Sequence, residues 1–218
     1  MKLDTLKYSG IVGGVIYWLF TFWAISRNKW FSFFEHALSD LGTAEANAPW
    51  IYNCGLMISS IFGMLFAVYL VLTSKTKLQT VGGAYISVAT LFLALIGIYP
   101  GGTRPHVFVS AYFFVQFFLG MLLYGLGSEK RLRNISLLIF MLAVVGILIT
   151  WPSVTLIETY EIMLINCFCT ADSFAMNLSK GLYTYFTNFR VYLRIHFIVR
   201  GANISFPSIS IAILTSSP

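Results

Sequence analysis

The sequence predicts an all-α, polytopic helical membrane bundle. Hydrophobic residues make up 58% of the 218 positions and charged residues only 10%, which is too little charge to cover the surface of a soluble domain. The apolar residues are also collected in runs of about 20, the length that an α-helix needs to cross the hydrocarbon core of a bilayer. We therefore expect a multi-pass protein of the cell membrane that contacts membrane lipid.

The first predicted helix covers residues 8–25. It follows the basic segment MKLDTLK, so a cleavable signal peptide is the alternative interpretation. The apolar run is long and aromatic for a signal peptide, and no small-x-small cleavage site follows it. We interpret this run as a retained transmembrane helix.

Four more runs of spanning length predict the next helices, at residues 50–72, 80–99, 106–126 and 135–151. The connections between them are short, and only the first connection, residues 26–49, is long. A sixth helix at residues 154–174 is conditional on where its acids point. Glu158, Glu161 and Asp172 would each cost about 2.5 to 3.5 kcal/mol near a helix centre unless they face protein or water.

The lysines and arginines predict the orientation of the bundle. Seven of them lie in the N-terminus and in the second and fourth connections, whereas three lie in the first and third connections. The positive-inside rule then places the N-terminus in the cytoplasm and residues 26–49 and 100–105 outside. Because the basic residues stand in small groups between apolar runs, the net charge of +6 does not indicate a nucleic-acid partner.

No sequence motif indicates a cofactor. Cys54, Cys167 and Cys169 form neither an even disulfide framework nor a paired CxxC metal site. The chain also contains no HExxH, P-loop or GxSxG motif. The identity of any cofactor therefore stays open.

Polar residues that could carry chemistry gather at the predicted outer face. Several lie in the segment FSFFEHALSDLGT at residues 31–43, another opens the fourth helix, and the last stands at the base of the conditional sixth helix. These candidate site residues are His36, Ser39, Asp40, His106 and Glu158.

These residues allow two interpretations. In the structural one, Asp40 or Ser39 caps a short helix or turn and His36 sits at the wet membrane interface. In the functional one, the candidate residues converge on an outward-facing pocket as general acid and base or as metal ligands. The metal ligands would then be His36, Asp40 and His106.

The function classes that follow are also alternatives. One is a membrane component that binds lipid or a membrane partner between its helices. Another is a membrane-embedded hydrolase, metal-dependent or acid/base, that acts on lipid. A small transporter is disfavoured, because the interiors of the five predicted helices hold almost no ionisable residues to line a path.

Three motifs in order carry a resemblance to a known family: FSFFEHALSDLG at residues 31–42, PWIYNCGL at residues 49–56 and GIYPGGTRPHVFVSAYFF at residues 97–114. Over residues 8–152 the chain resembles domain-of-unknown-function family 998 (DUF998), a group of archaeal and bacterial membrane proteins. The resemblance implies that Ser39, Asp40, Asn53 and His106 match family motifs. It also implies that Glu158 or Glu161 matches an acid at the start of the family's last helix.

The chain is more distantly similar to the Frag1/DRAM/Sfk1 group of eukaryotic membrane proteins. That similarity implies a six-helix bundle and, by analogy, a lipid-related role. The family's final apolar helix is not recognisable after Ile165. We therefore expect a transmembrane domain at residues 1–165 and an atypical tail at residues 166–218, as a frameshifted or degenerate coding sequence would produce.

The charge asymmetry yields a test of topology. Single cysteines placed near Lys75 and Arg131 should be labelled from the cytoplasmic side, and cysteines at Thr43 and Gly102 from the outside, because seven basic residues oppose three. Impermeant maleimide labelling of intact cells and of inverted vesicles measures both sets. The reverse labelling pattern would refute the orientation.

Overall fold

A computed structural model describes residues 3–150 and 158–173, and the regular elements in this part of the chain are helices. In chain order they are α1 (Leu3–Leu6), α2 (Ser9–Arg27), a 3-10 helix (Leu38–Gly42), α3 (Trp50–Thr73), α4 (Lys77–Ile98), α5 (His106–Leu126), α6 (Lys130–Thr150) and α7 (158–173). Helices α2 to α6 are long and apolar enough to cross a membrane. The five predicted spans and the all-α membrane fold are therefore confirmed.

Two of the spans begin earlier than the apolar pattern predicts. Helix α4 begins at Lys77 because the Thr76 hydroxyl accepts the Gln79 backbone N–H at 3.2 Å and so caps the first turn. Helix α6 begins at Lys130, and its first turns contain Arg131 and Arg133. Long basic side chains extend to the membrane surface from such turns, so a membrane helix can include them.

Helices α2 to α6 pack in sequence order, and their short connections make neighbours antiparallel. At one end of the bundle the connection between α3 and α4 meets the connection between α5 and α6. There the Gln79 side-chain amide donates to the Ser128 hydroxyl at 2.9 Å. At the opposite end the turn after α4 meets the first connection. A Cβ added to Gly101 would lie 2.9 Å from the Ser39 carbonyl oxygen. The predicted pairing of connections at each end is thus confirmed, whereas the side of the membrane stays a prediction.

Helix α7 packs within the same bundle and runs from one end to the other. Its Phe168 ring is fully buried beside Phe117 and Tyr124, with ring centroids 6.4 and 6.5 Å away. Near its C-terminal end the Ser173 hydroxyl donates to the Lys7 carbonyl oxygen at 2.8 Å. Sixteen residues at 1.5 Å rise cover about 24 Å along the helix axis.

The sixth helix that the sequence predicted conditionally is therefore present over residues 158–173. Its acids face protein, as that condition required, since Glu161 and Asp172 are 3% and 1% exposed. The helix continues without a break through residue 165, where the sequence pattern placed the end of the transmembrane domain. Its C-terminal half stays in the bundle because buried contacts, rather than apolar length, hold it there. The remainder of the expected tail, residues 174–218, lies outside the described residues.

Truncating Phe168 should show that α7 is an integral part of the bundle. Phe168→Ala should lower the free energy of unfolding by about 3 kcal/mol, the lower end of the range for buried aromatic residues, because it leaves a cavity between packed helices. Met163→Ala is the matched control, since Met163 lies on the same helix but is 54% exposed. Thermal unfolding in detergent would contradict the assignment if both variants lost the same stability.

Candidate functional site

The first connection folds back over the end of the bundle instead of extending from it. The side chain of Asn28, which is fully buried, donates to the Asn47 carbonyl at 3.1 Å and accepts the Asn47 backbone N–H at 2.7 Å. These two bonds bring the ends of the connection together. The residues between them are thereby held against the helix ends.

The Ser-Asp-Leu-Gly element forms the 3-10 helix, which is held by buried leucine side chains and by hydrogen bonds. Leu38 and Leu41 are fully buried, and the Asp40 carboxylate accepts the Ala37 backbone N–H at 2.9 Å. The side-chain amide of Asn53 donates to the Gly42 carbonyl at 3.0 Å, and a Cβ on Gly42 would collide with that same amide group. The predicted short helix is present, but Ala37 is its N-cap residue, and Asp40 stabilises that end from the third helical position through its bond to the Ala37 backbone N–H.

Glu158 joins this helix to α7. Ser39 donates to it twice, from its backbone N–H to Oε2 at 3.0 Å and from its hydroxyl to Oε1 at 2.9 Å. Both carboxyl oxygens of Glu158 therefore accept a hydrogen bond from Ser39. Because one side chain receives two bonds from one residue, this contact fixes the 3-10 helix on the last described helix of the bundle.

His106 opens α5 at the same end and is buried. Its Nδ1 lies 2.9 Å from the Tyr99 carbonyl oxygen, which can only accept, so Nδ1 carries the hydrogen. In the neutral ring Nε2 is then an acceptor. The Ser110 hydroxyl lies one helical turn further along α5, 3.4 Å from Nε2.

Ser39, His106 and Glu158 line one small cavity, here called the polar cavity, together with Tyr52 and Ser110. Its volume is about 20 Å³, slightly more than the roughly 10–15 Å³ that a single water molecule requires. Three of the sequence-predicted residues thus meet at one place. Ser110 could have been found from sequence, since it stands four residues after His106 on one helical face.

His36 and Asp40 line a different cavity. The expectation that all the candidate residues converge on one pocket is therefore wrong for these two residues. That cavity measures about 420 Å³ and is completed by Trp30, Thr43 and Glu45. The reason is local: successive residues of a 3-10 helix are about 120° apart, so Ser39 and Asp40 point in different directions.

The His36 ring is held within the first connection. Its Nδ1 accepts the Ser32 backbone N–H at 3.3 Å, and the ring packs on Trp30 with centroids 4.9 Å apart. Within residues 3–150 and 158–173, no group of three or more His, Cys, Asp or Glu side chains is placed to hold a metal ion. His36, Asp40 and His106 therefore do not form a ligand set.

A third cavity, here called the apolar cavity, lies deeper in the bundle. Its volume is about 70 Å³, and residues of α2, α3, α4, α5 and α7 line it, including Gly14, Ser59 and Phe117. It shares Leu93, Phe113 and Ile162 with the polar cavity, so the two adjoin. Sequence analysis does not predict it, because glycines at helical spacing are equally typical of close helix packing.

Two tyrosines join the cavities. Tyr17 lines the apolar cavity and Tyr52 lines the polar cavity, and their hydroxyl oxygens lie 3.1 Å apart. This contact between α2 and α3 has no sequence signal, since both tyrosines lie among many aromatic residues of apolar runs. One of the two hydroxyl hydrogens makes the shared bond, which leaves the other for a further acceptor.

Five membrane-length helices that enclose a polar cavity at one end and an apolar cavity below it define a polytopic helical membrane protein. The model of a family of proteins of unknown function, DUF998, matches residues 11–171, and the chain belongs to this family. The match includes every residue named above in the polar and apolar cavities and extends past residue 165 into α7. No curated protein and no solved structure matches the chain.

Removing the Glu158 carboxylate should release the 3-10 helix. In Glu158→Ala the protection of the Ser39 amide against hydrogen exchange should fall on the order of tenfold, because Ser39 loses two hydrogen bonds that contribute about 0.5–1.5 kcal/mol each. Glu35→Ala is the control, since Glu35 is an exposed acid of the same connection. Unchanged exchange at Ser39 in the Glu158 variant would contradict the anchoring role.

Proposed function

We propose that this protein binds a lipid or similar amphiphile inside its helix bundle, with the head in the polar cavity and the chain in the apolar cavity. The observation that carries the proposal is the contiguity of the two cavities through Leu93, Phe113 and Ile162. An amphiphile likewise has a polar head that is followed by an apolar chain, in the same order as the two cavities. Its head would lie at the bundle end, where lipid head groups also lie.

The character of the walls supports the proposal. Apart from Tyr17, Ser59, Thr90, Asn166 and Cys169, the apolar cavity is lined by glycine, aliphatic and phenylalanine residues. Ser59 has a buried hydroxyl with no hydrogen-bond partner. Water needs two to four polar partners to occupy a buried site, so a wall of this kind favours a hydrocarbon chain.

Size is compatible with one chain rather than two. The apolar cavity is several times larger than the roughly 10–15 Å³ that one water molecule requires. It extends along α7 from Ile162 to Cys169, which corresponds to about 10 Å at 1.5 Å per residue. A narrow space of that length suits part of a single acyl or alkyl chain.

A hydrolase is the second candidate function, and one distance favours it. The Ser39 hydroxyl lies 2.9 Å from Glu158 Oε1, within the range expected for a nucleophile and its general base. His106 lines the same cavity and could serve as acid or base. In that case Ser39→Ala would abolish release of a lipid product while leaving lipid binding in place, whereas a binding protein would show no turnover in either form.

Filling the apolar cavity should prevent binding. Ser59→Leu should lower the affinity for a single-chain amphiphile by about tenfold or more, because the new side chain displaces roughly two methylenes at about 0.8 kcal/mol each. The substitution removes no hydrogen bond from Ser59 Oγ. Native mass spectrometry of delipidated protein, titrated with hexadecanol, counts the bound molecules.

The control for this experiment is Ser87→Leu. Ser87 is a partly buried serine of α4 whose hydroxyl bonds to the Gly83 carbonyl, and it is not among the residues that line the apolar cavity. This variant should bind as the wild type does. Equal binding by wild type and Ser59→Leu would count against the cavity as the chain site.

A further inference from the structure

We propose that the head group that the polar cavity selects is a primary ammonium, so that the ligand is a long-chain primary amine. This inference rests on the proposed function and specifies its ligand. It follows from which hydrogen-bonding groups the cavity presents, how large it is and what charge it carries.

The polar cavity presents mainly acceptors. His106 donates through Nδ1 to the Tyr99 carbonyl, which leaves Nε2 as an acceptor. Glu158 Oε1 and Oε2 each accept one bond from Ser39 and each keep a second lone pair. A ligand that enters such a cavity has to bring hydrogen-bond donors, because buried acceptors that face another acceptor stay unpaired.

A primary ammonium carries three such donors and no acceptor. The polar cavity offers three acceptors: the two Glu158 carboxyl oxygens and the oxygen of Ser110, whose own hydrogen is donated to His106 Nε2. A hydroxyl head would supply one donor and would add its own lone pairs. A carboxylate or phosphate head would supply only acceptors at neutral pH.

The volume and the charge agree with this choice. About 20 Å³ accommodates a group the size of one water molecule, and an ammonium is of that size, whereas a phosphate with four oxygens is not. Glu158 is the ionisable acid that lines the polar cavity, and no lysine or arginine is among its described lining residues. An ammonium would compensate the partly buried carboxylate, whereas an anionic head would repel it.

Three probes with the same chain and different heads test the inference: radiolabelled hexadecylamine, hexadecanol and hexadecanoate. Each is titrated into the protein in phosphatidylcholine nanodiscs at neutral pH, where an amine with a lysine-like pKa of about 10.4 is charged. Binding is taken as the excess over empty nanodiscs of the same composition. Hexadecylamine should bind at least tenfold more tightly than hexadecanol, and hexadecanoate should bind weakest.

Glu158→Gln identifies the site of this preference. The glutamine keeps an oxygen for Ser39 but loses the charge, so the ratio of hexadecylamine affinity to hexadecanol affinity should fall by tenfold or more. Glu45→Gln, which changes an exposed acid of the same connection, should retain the preference. An amine preference that survives in Glu158→Gln would overturn the assignment.

Two further outcomes separate the inference from the function on which it rests. If hexadecanol or hexadecanoate binds to the wild type as tightly as hexadecylamine, the head-group assignment is wrong and amphiphile binding stands. If none of the three probes binds in excess of empty nanodiscs, the proposed function fails and the head-group assignment fails with it.

Discussion

The contact between Ser39 and Glu158 connects two parts of this protein that are far apart along the chain. It joins residues 119 positions apart and ties the first connection to the last described helix. A carboxylate at a membrane boundary is costly unless hydrogen bonds or water stabilise it. Ser39 supplies two such bonds, and the same geometry forms a wall of the polar cavity. This interaction therefore contributes both to the stability of α7 in the bundle and to the shape of the candidate site.

The other end of α7 poses a different physical problem. Asp172 is 1% exposed, and neither of its carboxylate oxygens has a hydrogen-bond partner in the described structure. Burial of a carboxyl group without partners is unfavourable, and within residues 3–150 and 158–173 no hydrogen bond to this acid holds the helix there. It is held by the packing of Phe168 and by the bond from Ser173 to the Lys7 carbonyl. Polar bonding dominates where α7 meets the 3-10 helix, and packing contributes more at the opposite end of α7.

The motifs that carry the family resemblance are in contact in three dimensions. Gly42 of the first motif accepts a hydrogen bond from Asn53 of the second, and Ser39 lies against Gly101 of the third. A methyl group at either glycine would occupy space that Asn53 or the Ser39 backbone already fills. The glycines and the asparagine of these motifs are therefore explained by the close packing of the chain around the 3-10 helix. They need no ligand contact to account for them.

The sequence by itself determined the five spans and which connections share an end of the bundle. The length of each apolar run can be read locally, and successive membrane helices joined by short connections run in opposite directions, so every second connection lies at the same end. It also indicated Ser39, His106 and Glu158, whose polarity is conspicuous beside apolar runs. Only the tertiary structure decided that His36 and Asp40 face another cavity. Successive residues of a 3-10 helix point in different directions, so the Asp40 side chain is turned away from that of Ser39. It also decided that α7 continues past residue 165. Burial of Phe168 against Phe117 and Tyr124, which lie far away along the chain, outweighs the weak apolar pattern of that segment, and such contacts leave no periodic trace in a sequence.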